Sequence, residues 1–256
     1  MGRAKINRLN ETRLNNNGEE MKIVRYGSAF DIDVRFVKDD TVVEHREYKD
    51  FKKGQIKNPM TPSVYGVGFI GVGKFNPFDE NGKPTRCYLT WKNMLMRCYD
   101  SKYHEKEPTY KGCTVCTEWH NFQVFAEWYY KNYYEVGNNE RMNLDKDILN
   151  KGNKIYSPNT CIFVPQFINS LFVKRHNDRG ECPIGVCKHG DKFRARLSKG
   201  DGKQIHLGIF NTPNEAFFTY KQEKEEYIKE VAENYKLQLP HNLYEALMNY
   251  KVEIDD

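Results

Sequence analysis

The sequence predicts an α+β protein made of small modules. Between residues 22 and 78, apolar residues recur with a period of two among glycine-containing turns, which is the pattern of a β-rich domain. Residues 89–133 carry apolar side chains at helical spacing, and residues 144–175 combine two strand patterns with a helix. Residues 184–220 add three strand patterns and a final long helix. We therefore expect an N-terminal β-rich domain, a central ββα unit preceded by helices, and a C-terminal three-stranded sheet packed on one helix.

The composition favours an intracellular protein with a polyanionic partner. The 256 residues suffice for one large domain or two to three small ones. Apolar runs are short and no signal peptide opens the chain, so we expect no membrane partner. The 40 Lys and Arg residues exceed the 35 Asp and Glu residues by five. This mild excess favours a polyanion without proving one.

The N-terminal part divides into an arm and the β-rich domain. Residues 1–21 are polar and basic and predict a flexible arm that could follow a phosphate backbone. Residues 22–78 form the β-rich domain. Its densest basic patch interleaves lysines with Tyr48 and Phe51, which suits contacts with DNA, although a solvated sheet edge is the alternative. The candidate DNA-binding residues of this domain are Lys49, Lys52 and Lys53.

The helical segment between residues 86 and 143 predicts a core and a cysteine cluster. Its aromatic residues share helix faces, so we interpret them as core. Residues 100–109 read as a polar loop. A CxxC pair stands alone in the sequence, but two further cysteines could complete a structural zinc site, and small buried thiols are the alternative. The four candidate zinc ligands are Cys98, Cys113, Cys116 and Cys161.

The segment 144–175 predicts strand, loop, strand and helix. Residues 144–148 alternate apolar and charged side chains, residues 160–164 form a second strand, and Pro165 opens a helix. A carboxylate on the strand and an amide on the helix can meet in so small a unit. Asp145 or Asp147, with Asn169, could supply oxygen ligands to a hard divalent cation.

This segment resembles the HNH, or ββα-metal, endonucleases of phages and bacteria. The resemblance extends over about residues 89–175, within a predicted nuclease domain of residues 86–175. It implies Mg²⁺- or Mn²⁺-dependent hydrolysis of a phosphodiester bond in double-stranded DNA, in the cytoplasm of a bacterial host. One motif per chain implies a nick unless two copies meet as a homodimer. The residues that match the motif are Asp145, Lys146, Asp147, Gly152, Asn153, Tyr156, Ser157, Pro158, Asn159, Cys161, Phe163, Val164 and Asn169.

The resemblance assigns catalytic roles to Asp145, Lys146, Asp147 and Asn159, and metal binding to Asp145 and Asn169. One departure concerns the general base, because these enzymes usually carry a His on the first strand. No His lies between His120 and His176 in this sequence. Two alternatives therefore stay open. The Asp-Lys-Asp run could merely cap a structural strand, and the chain could be a DNA-binding or regulatory phage protein that does not cut.

Residues 183–238 predict three strands and a helix that begins with Thr212 as N-cap and Glu215 at N3. In the middle strand, Ala195 and Leu197 alternate with Arg194 and Arg196. The apolar side can pack on the helix, so the arginines must face outward. The predicted helix contacts are Ala216, Tyr220 and Ile228. Residues 239–256 then predict a short helix and an acidic tail.

This module resembles the DNA-binding domain of plant ethylene-response factors, which also occurs in phage and homing endonucleases. The shared residues are Gly185, Val186, Lys192, Phe193, Ala195, Leu207, Gly208, Phe210, Glu215, Ala216 and Tyr220. The resemblance implies that the exposed sheet face enters the major groove, although Cys187 and His189 stand where arginines are usual. An ordinary exposed basic sheet is the alternative. The candidate DNA-binding residues are Lys188, His189, Lys192, Arg194, Arg196 and Lys203.

Overall fold

The computed structural model describes residues 7–173, 181–200, 204–254 and 256. The chain divides into two compact units, Met1–Trp128 and Tyr129–Asp256. Both helices and strands are present, and the predicted α+β class is confirmed. No helix among the described residues is both long and apolar enough to cross a lipid bilayer.

The first unit begins with a four-stranded antiparallel sheet. Its strands are β1 (Thr12–Leu14), β2 (Glu20–Ser28), β3 (Asp31–Phe36) and β4 (Val42–Arg46), hydrogen-bonded in that order. The short helix α1 (Tyr48–Lys52) follows β4. Phe51 of α1 is fully buried with side chains from the sheet, so it belongs to the core. The core members are Met21, Ile23, Ile32, Val34, Phe36, Val43, Phe51 and Ile56.

The structure differs from the expected flexible arm. Residues 12–14 pair with β2, and Asn15 stabilises the turn between them because its side-chain oxygen accepts from the backbone N–H groups of Asn17 and Glu19, both at 2.9 Å. Arg8 donates to the Tyr48 hydroxyl at 2.6 Å. The run of polar residues therefore forms a hairpin, and residues 1–6 lie outside the described part of the chain.

The rest of the first unit contains helices α2 (Arg86–Tyr99) and α3 (Ser101–Lys106), the short strand β5 (Thr114–Val115) and most of α4 (Phe122–Asn132), whose last residues belong to the second unit. The polar loop expected at 100–109 is in fact largely helical, because the Asp100 side chain accepts from the N–H groups of Lys102 and Tyr103. The segment that contains Gly66, Gly68, Gly71 and Gly73 packs on the helices, since the Gln123 side chain donates to the Phe75 carbonyl at 2.9 Å. Trp91 donates to the Trp119 carbonyl at 2.7 Å.

The second unit contains the ββα segment. Strands β6 (Met142–Asp145), β7 (Ile155–Tyr156) and β8 (Ile162–Pro165) precede helix α5 (Gln166–Ser170), and β6 pairs antiparallel with β8. Strand β6 ends at Asp145, three residues earlier than expected. The cause is the Asp145 carboxylate, whose Oδ1 accepts from the N–H groups of Asp147 at 2.9 Å and Ile148 at 2.7 Å and so turns the chain.

The C-terminal module has the predicted architecture. Strands β9 (Val186–His189), β10 (Lys192–Ser198) and β11 (Gln204–Phe210) form an antiparallel sheet in the order β11-β10-β9. Helix α6 (Pro213–Tyr235) starts with the predicted capping box. The shared core consists of Val186, Ala195, Leu197, Ala216, Phe217, Tyr220 and Val252.

Ile228 is the exception among the predicted helix contacts. It lies in a second core, with residues of β8, α5 and the last helix, α7 (His241–Met248). Helix α6 therefore contributes one end to the three-stranded sheet and the other to the ββα segment.

Candidate functional site

The outer face of the C-terminal sheet collects the predicted arginines. Directly opposite residues of antiparallel strands point to the same face of a sheet. Arg194 lies opposite Cys187 of β9 and Ile209 of β11, so these three side chains form one row across the sheet. Arg196 lies opposite His206. We call the surface formed by Cys187, His189, Lys192, Arg194, Arg196, His206 and Ile209 the outer sheet face.

The outer sheet face is positively charged. The described residues of β9, β10 and β11 include no Asp or Glu. Arg196 donates from Nη1 to the Gln204 side chain at 3.1 Å, which leaves other guanidinium N–H groups for a ligand. The Arg194 Nε is buried and has no hydrogen-bond partner in the described part of the chain. The face therefore offers cationic donors and no competing carboxylates.

Two of the predicted DNA-binding residues do not contribute to this face. Lys188 lies opposite Phe193, which packs against the core shared with α6. By the alternation of strand side chains, Lys188 therefore points to the helix side of the sheet. Lys203 lies outside the described residues.

Sequence reasoning missed His206 and Ile209. The register of β10 and β11 shifts between Ala195 and Arg196, because Leu207 is an extra residue in β11. That bulge interrupts the alternation of β11, so the pattern of the strand alone could not show which of its residues lie beside the arginines. The glycine at 208 was the available signal, since an isolated glycine in a strand often marks a bulge.

The candidate metal site centres on Asp145 at the end of β6. Burial and, to a lesser extent, the negative charge of Asp147 together raise the pKa of Asp145 to about 6, although the two backbone N–H groups oppose the shift. Two neighbouring carboxylates, one of them largely removed from water, repel each other when both are ionised. A divalent cation would relieve that repulsion, so the pair fits a hard metal ion.

Lys146 has a structural role in this segment. Its Nζ donates to the Asn153 carbonyl at 2.9 Å and to the Asp147 carboxylate at 3.2 Å, and its side chain is 9% exposed. The Asn153 amide donates in return to the Lys146 carbonyl at 2.7 Å. These reciprocal bonds hold the loop between β6 and β7 closed, and they engage the ammonium group of a residue to which the resemblance assigns a catalytic role.

The two asparagines of the predicted site differ in their surroundings. Asn169 is half-buried on α5, and its amide makes no hydrogen bond to the described part of the chain. It lies on the helix that follows β8, and its role as a metal ligand is what the resemblance implies. Asn159 is exposed in the turn before β8.

The two aromatic side chains of the basic patch in the first unit make contacts within the protein. Phe51 is core, and the Tyr48 hydroxyl is held between Arg8 and Glu11. Burial removes the Phe51 ring from any contact with bases or sugars, whereas the predicted contact of the half-buried Tyr48 ring stays a prediction. Lys49 pairs with Glu47 at 2.8 Å, which leaves the exposed Lys52 and Lys53 as the available cations of the patch.

In the part of the chain that the structure describes, no cluster of potential metal ligands contains a cysteine. Among the described residues, the only group of three or more His, Cys, Asp or Glu side chains with mutually close ligand atoms is Asp31, Asp33 and His45. Arg25 already binds both of these carboxylates, with contacts of 2.7 Å to each. Cys98, Cys113 and Cys161 are buried, and burial raises the pKa of the half-buried Cys116. The zinc interpretation gains no support from this arrangement.

Comparisons with protein-family models, with curated proteins and with solved structures give no match for this chain. Its function is therefore inferred from its own residues and their geometry.

Proposed function

We propose that this chain binds double-stranded DNA through the outer sheet face. The observation that carries the proposal is a three-stranded sheet with one face packed on α6 and the other face basic and free of carboxylates among its described residues. The major groove is about 12 Å wide and admits strands, and arginine forms paired hydrogen bonds with the guanine O6 and N7 atoms. Arg194 and Arg196 are the residues suited to this role.

The first test compares the two sides of the sheet. Duplexes selected by the wild-type protein from a random pool would be titrated by fluorescence anisotropy at fixed salt. We expect Arg194→Ala and Arg196→Ala each to weaken binding about 10-fold or more, because each good arginine–guanine pair contributes about 1–3 kcal/mol of discrimination. Lys188→Ala, on the helix side of the same sheet, is the matched control and should change binding less than about threefold.

Folding of each variant is checked by thermal melting. Full-strength binding by both arginine variants, or an equal loss in all three variants, would contradict this use of the outer sheet face.

We propose as a second function that the ββα segment hydrolyses a phosphodiester bond of the bound DNA. The specific observation in its favour is the repelling pair Asp145 and Asp147 together with the uncommitted amide of Asn169. Asp145 and Asn169 would hold a Mg²⁺ or Mn²⁺ ion, which supplies charge stabilisation for the phosphate and the leaving oxygen. Lys146 holds the loop in place, and Asp147 is the group left to accept a proton from water.

Nicking of supercoiled plasmid with Mg²⁺ or Mn²⁺ tests the second function. We expect nicking by the wild type that EDTA abolishes, and roughly 100-fold or greater loss in Asp145→Ala and Asn169→Ala, since a metal ion contributes several kcal/mol to the transition state. Glu230→Gln, an exposed carboxylate on α6, is the control and should cut normally. A wild-type protein that binds DNA in a salt-sensitive way without nicking would be a DNA-binding protein on an inactive scaffold.

A further inference from the structure

Ile209 is an apolar side chain in the middle of the basic outer sheet face. It is 46% exposed and lies directly opposite Arg194. Its neighbours on β11 do not share this position, because Phe210 lies opposite Phe193, which packs against the core, and Gly208 lies opposite the buried Ala195. Removal of the exposed Ile209 side chain from water would be favourable, so this position can contact an apolar group of a bound ligand.

The backbone at Gly208 fixes this orientation. Gly208 has a φ of +147°, and a Cβ added there would lie 3.0 Å from the Phe210 ring. A side chain at position 208 would therefore push the Phe210 ring away from the core. With glycine at this position, Phe210 packs inward and Ile209 stays on the outer sheet face beside Arg194.

Base edges in the major groove offer one prominent apolar group, the 5-methyl group of thymine, among hydrogen-bonding atoms. Opposite side chains on neighbouring strands have Cβ atoms about 4.5–5.5 Å apart, whereas successive bases of one strand are about 3.4 Å apart. Two long side chains in one row can thus contact neighbouring base pairs. Arginine suits guanine, and isoleucine suits a methyl group.

We infer that Ile209 is a specificity-determining residue that contacts the 5-methyl group of a pyrimidine beside the guanine bound by Arg194. This inference rests on the proposed DNA binding and adds a base preference to it. The 5-methyl group occurs in thymine and in 5-methylcytosine, so both present the same chemistry to Ile209. The preferred site then contains a guanine and a 5-methylpyrimidine in neighbouring base pairs.

The test removes the methyl group without changing base pairing. Each thymine of a selected duplex is replaced in turn by deoxyuridine, and dissociation constants are measured for the wild type and for Ile209→Ala. We expect one replacement to weaken wild-type binding about 3- to 10-fold, the effect of one or two buried methyl-sized groups. Ile209→Ala should bind the two duplexes equally well. A parallel comparison places a C·G pair at the sensitive thymine position, with the cytosine either unmethylated or 5-methylated. Methylation should strengthen binding by the wild type and leave binding by Ile209→Ala unchanged.

Ile205→Ala is the matched control, since Ile205 lies on β11 and is 38% exposed but stands opposite the core residue Leu197. This variant should keep the sensitivity to deoxyuridine. If wild-type binding survives every replacement unchanged, or if Ile209→Ala keeps the sensitivity, the inference is overturned while DNA binding stands. If the wild type and Arg194→Ala bind every duplex equally weakly, the proposed function fails and the inference fails with it.

Discussion

Asp145 affects the stability of the native state in two opposite ways. Its Oδ1 accepts two backbone N–H bonds that end β6, which stabilises the turn. Its charge is largely withdrawn from water and faces Asp147, which destabilises the ionised form and raises the pKa to about 6. Asparagine could accept the same two N–H bonds, so the half-buried charge of Asp145 is the feature that the proposed metal site would use.

Asp145→Asn is therefore expected to stabilise the protein at alkaline pH. The native state holds the Asp145 proton more tightly than the unfolded state does, so the free energy of unfolding falls as pH rises from about 4 to about 6 and stays low above that. Asparagine keeps the accepting oxygen and removes the charge. In denaturant titrations, the variant should gain roughly 1–3 kcal/mol at pH 8 and nothing at pH 4.

Glu230→Gln provides the comparison, because its exposed carboxylate should give no pH-dependent difference from the wild type. A destabilised Asp145→Asn protein at pH 8 would mean that the charge itself contributes to the native fold.

At the scale of single elements, the sequence predicted those whose signals are local. The N-cap of α6 follows from Thr212 and Glu215, and the two faces of β10 follow from strict alternation; both predictions are confirmed. Strand β1 was missed because it is short and exposed and its pairing with β2 depends on a turn of asparagines. Helix α3 was missed because its stability comes from the Asp100 cap and no buried face marks it.

The candidate site shows the same division between local and non-local information. Alternation alone places Arg194 and Arg196 outward. The position of Lys188 on the helix side and of Ile209 on the outer sheet face depends on cross-strand register and on a one-residue bulge, which hydrophobic periodicity does not encode. The end of β6 is a further example. The alternation of apolar and charged residues predicted a strand through residue 148, whereas the hydrogen bonds accepted by the Asp145 side chain end β6 at Asp145.

At the scale of the whole molecule, each unit carries its own exposed cations. The exposed Lys52 and Lys53 lie in the first unit, and the exposed Lys192 with the half-buried Arg194 and Arg196 lie in the second. These two groups should affect DNA binding differently. Phosphate contacts give affinity without sequence preference, whereas base contacts on the outer sheet face give preference.

The double variant Lys52→Ala/Lys53→Ala is expected to weaken binding by a similar factor for every DNA sequence. It should also reduce the slope of log affinity against log salt by up to about 1.8, because each phosphate contact contributes about 0.9. Lys49→Ala is the control, since its pairing with Glu47 already neutralises part of its charge, and its effect on the slope should be smaller. An unchanged slope in the double variant would show that the first unit takes no part in binding.

The distribution of tryptophan gives the two units different optical properties. All three tryptophans, Trp91, Trp119 and Trp128, belong to the first unit, and the rings of Trp119 and Trp128 lie 4.7 Å apart. Selectively excited indole emission therefore monitors the first unit alone, while far-ultraviolet dichroism follows the backbone of both. Unfolding curves recorded by these two probes coincide only when both units lose their structure together, so one sample reports whether they are energetically independent.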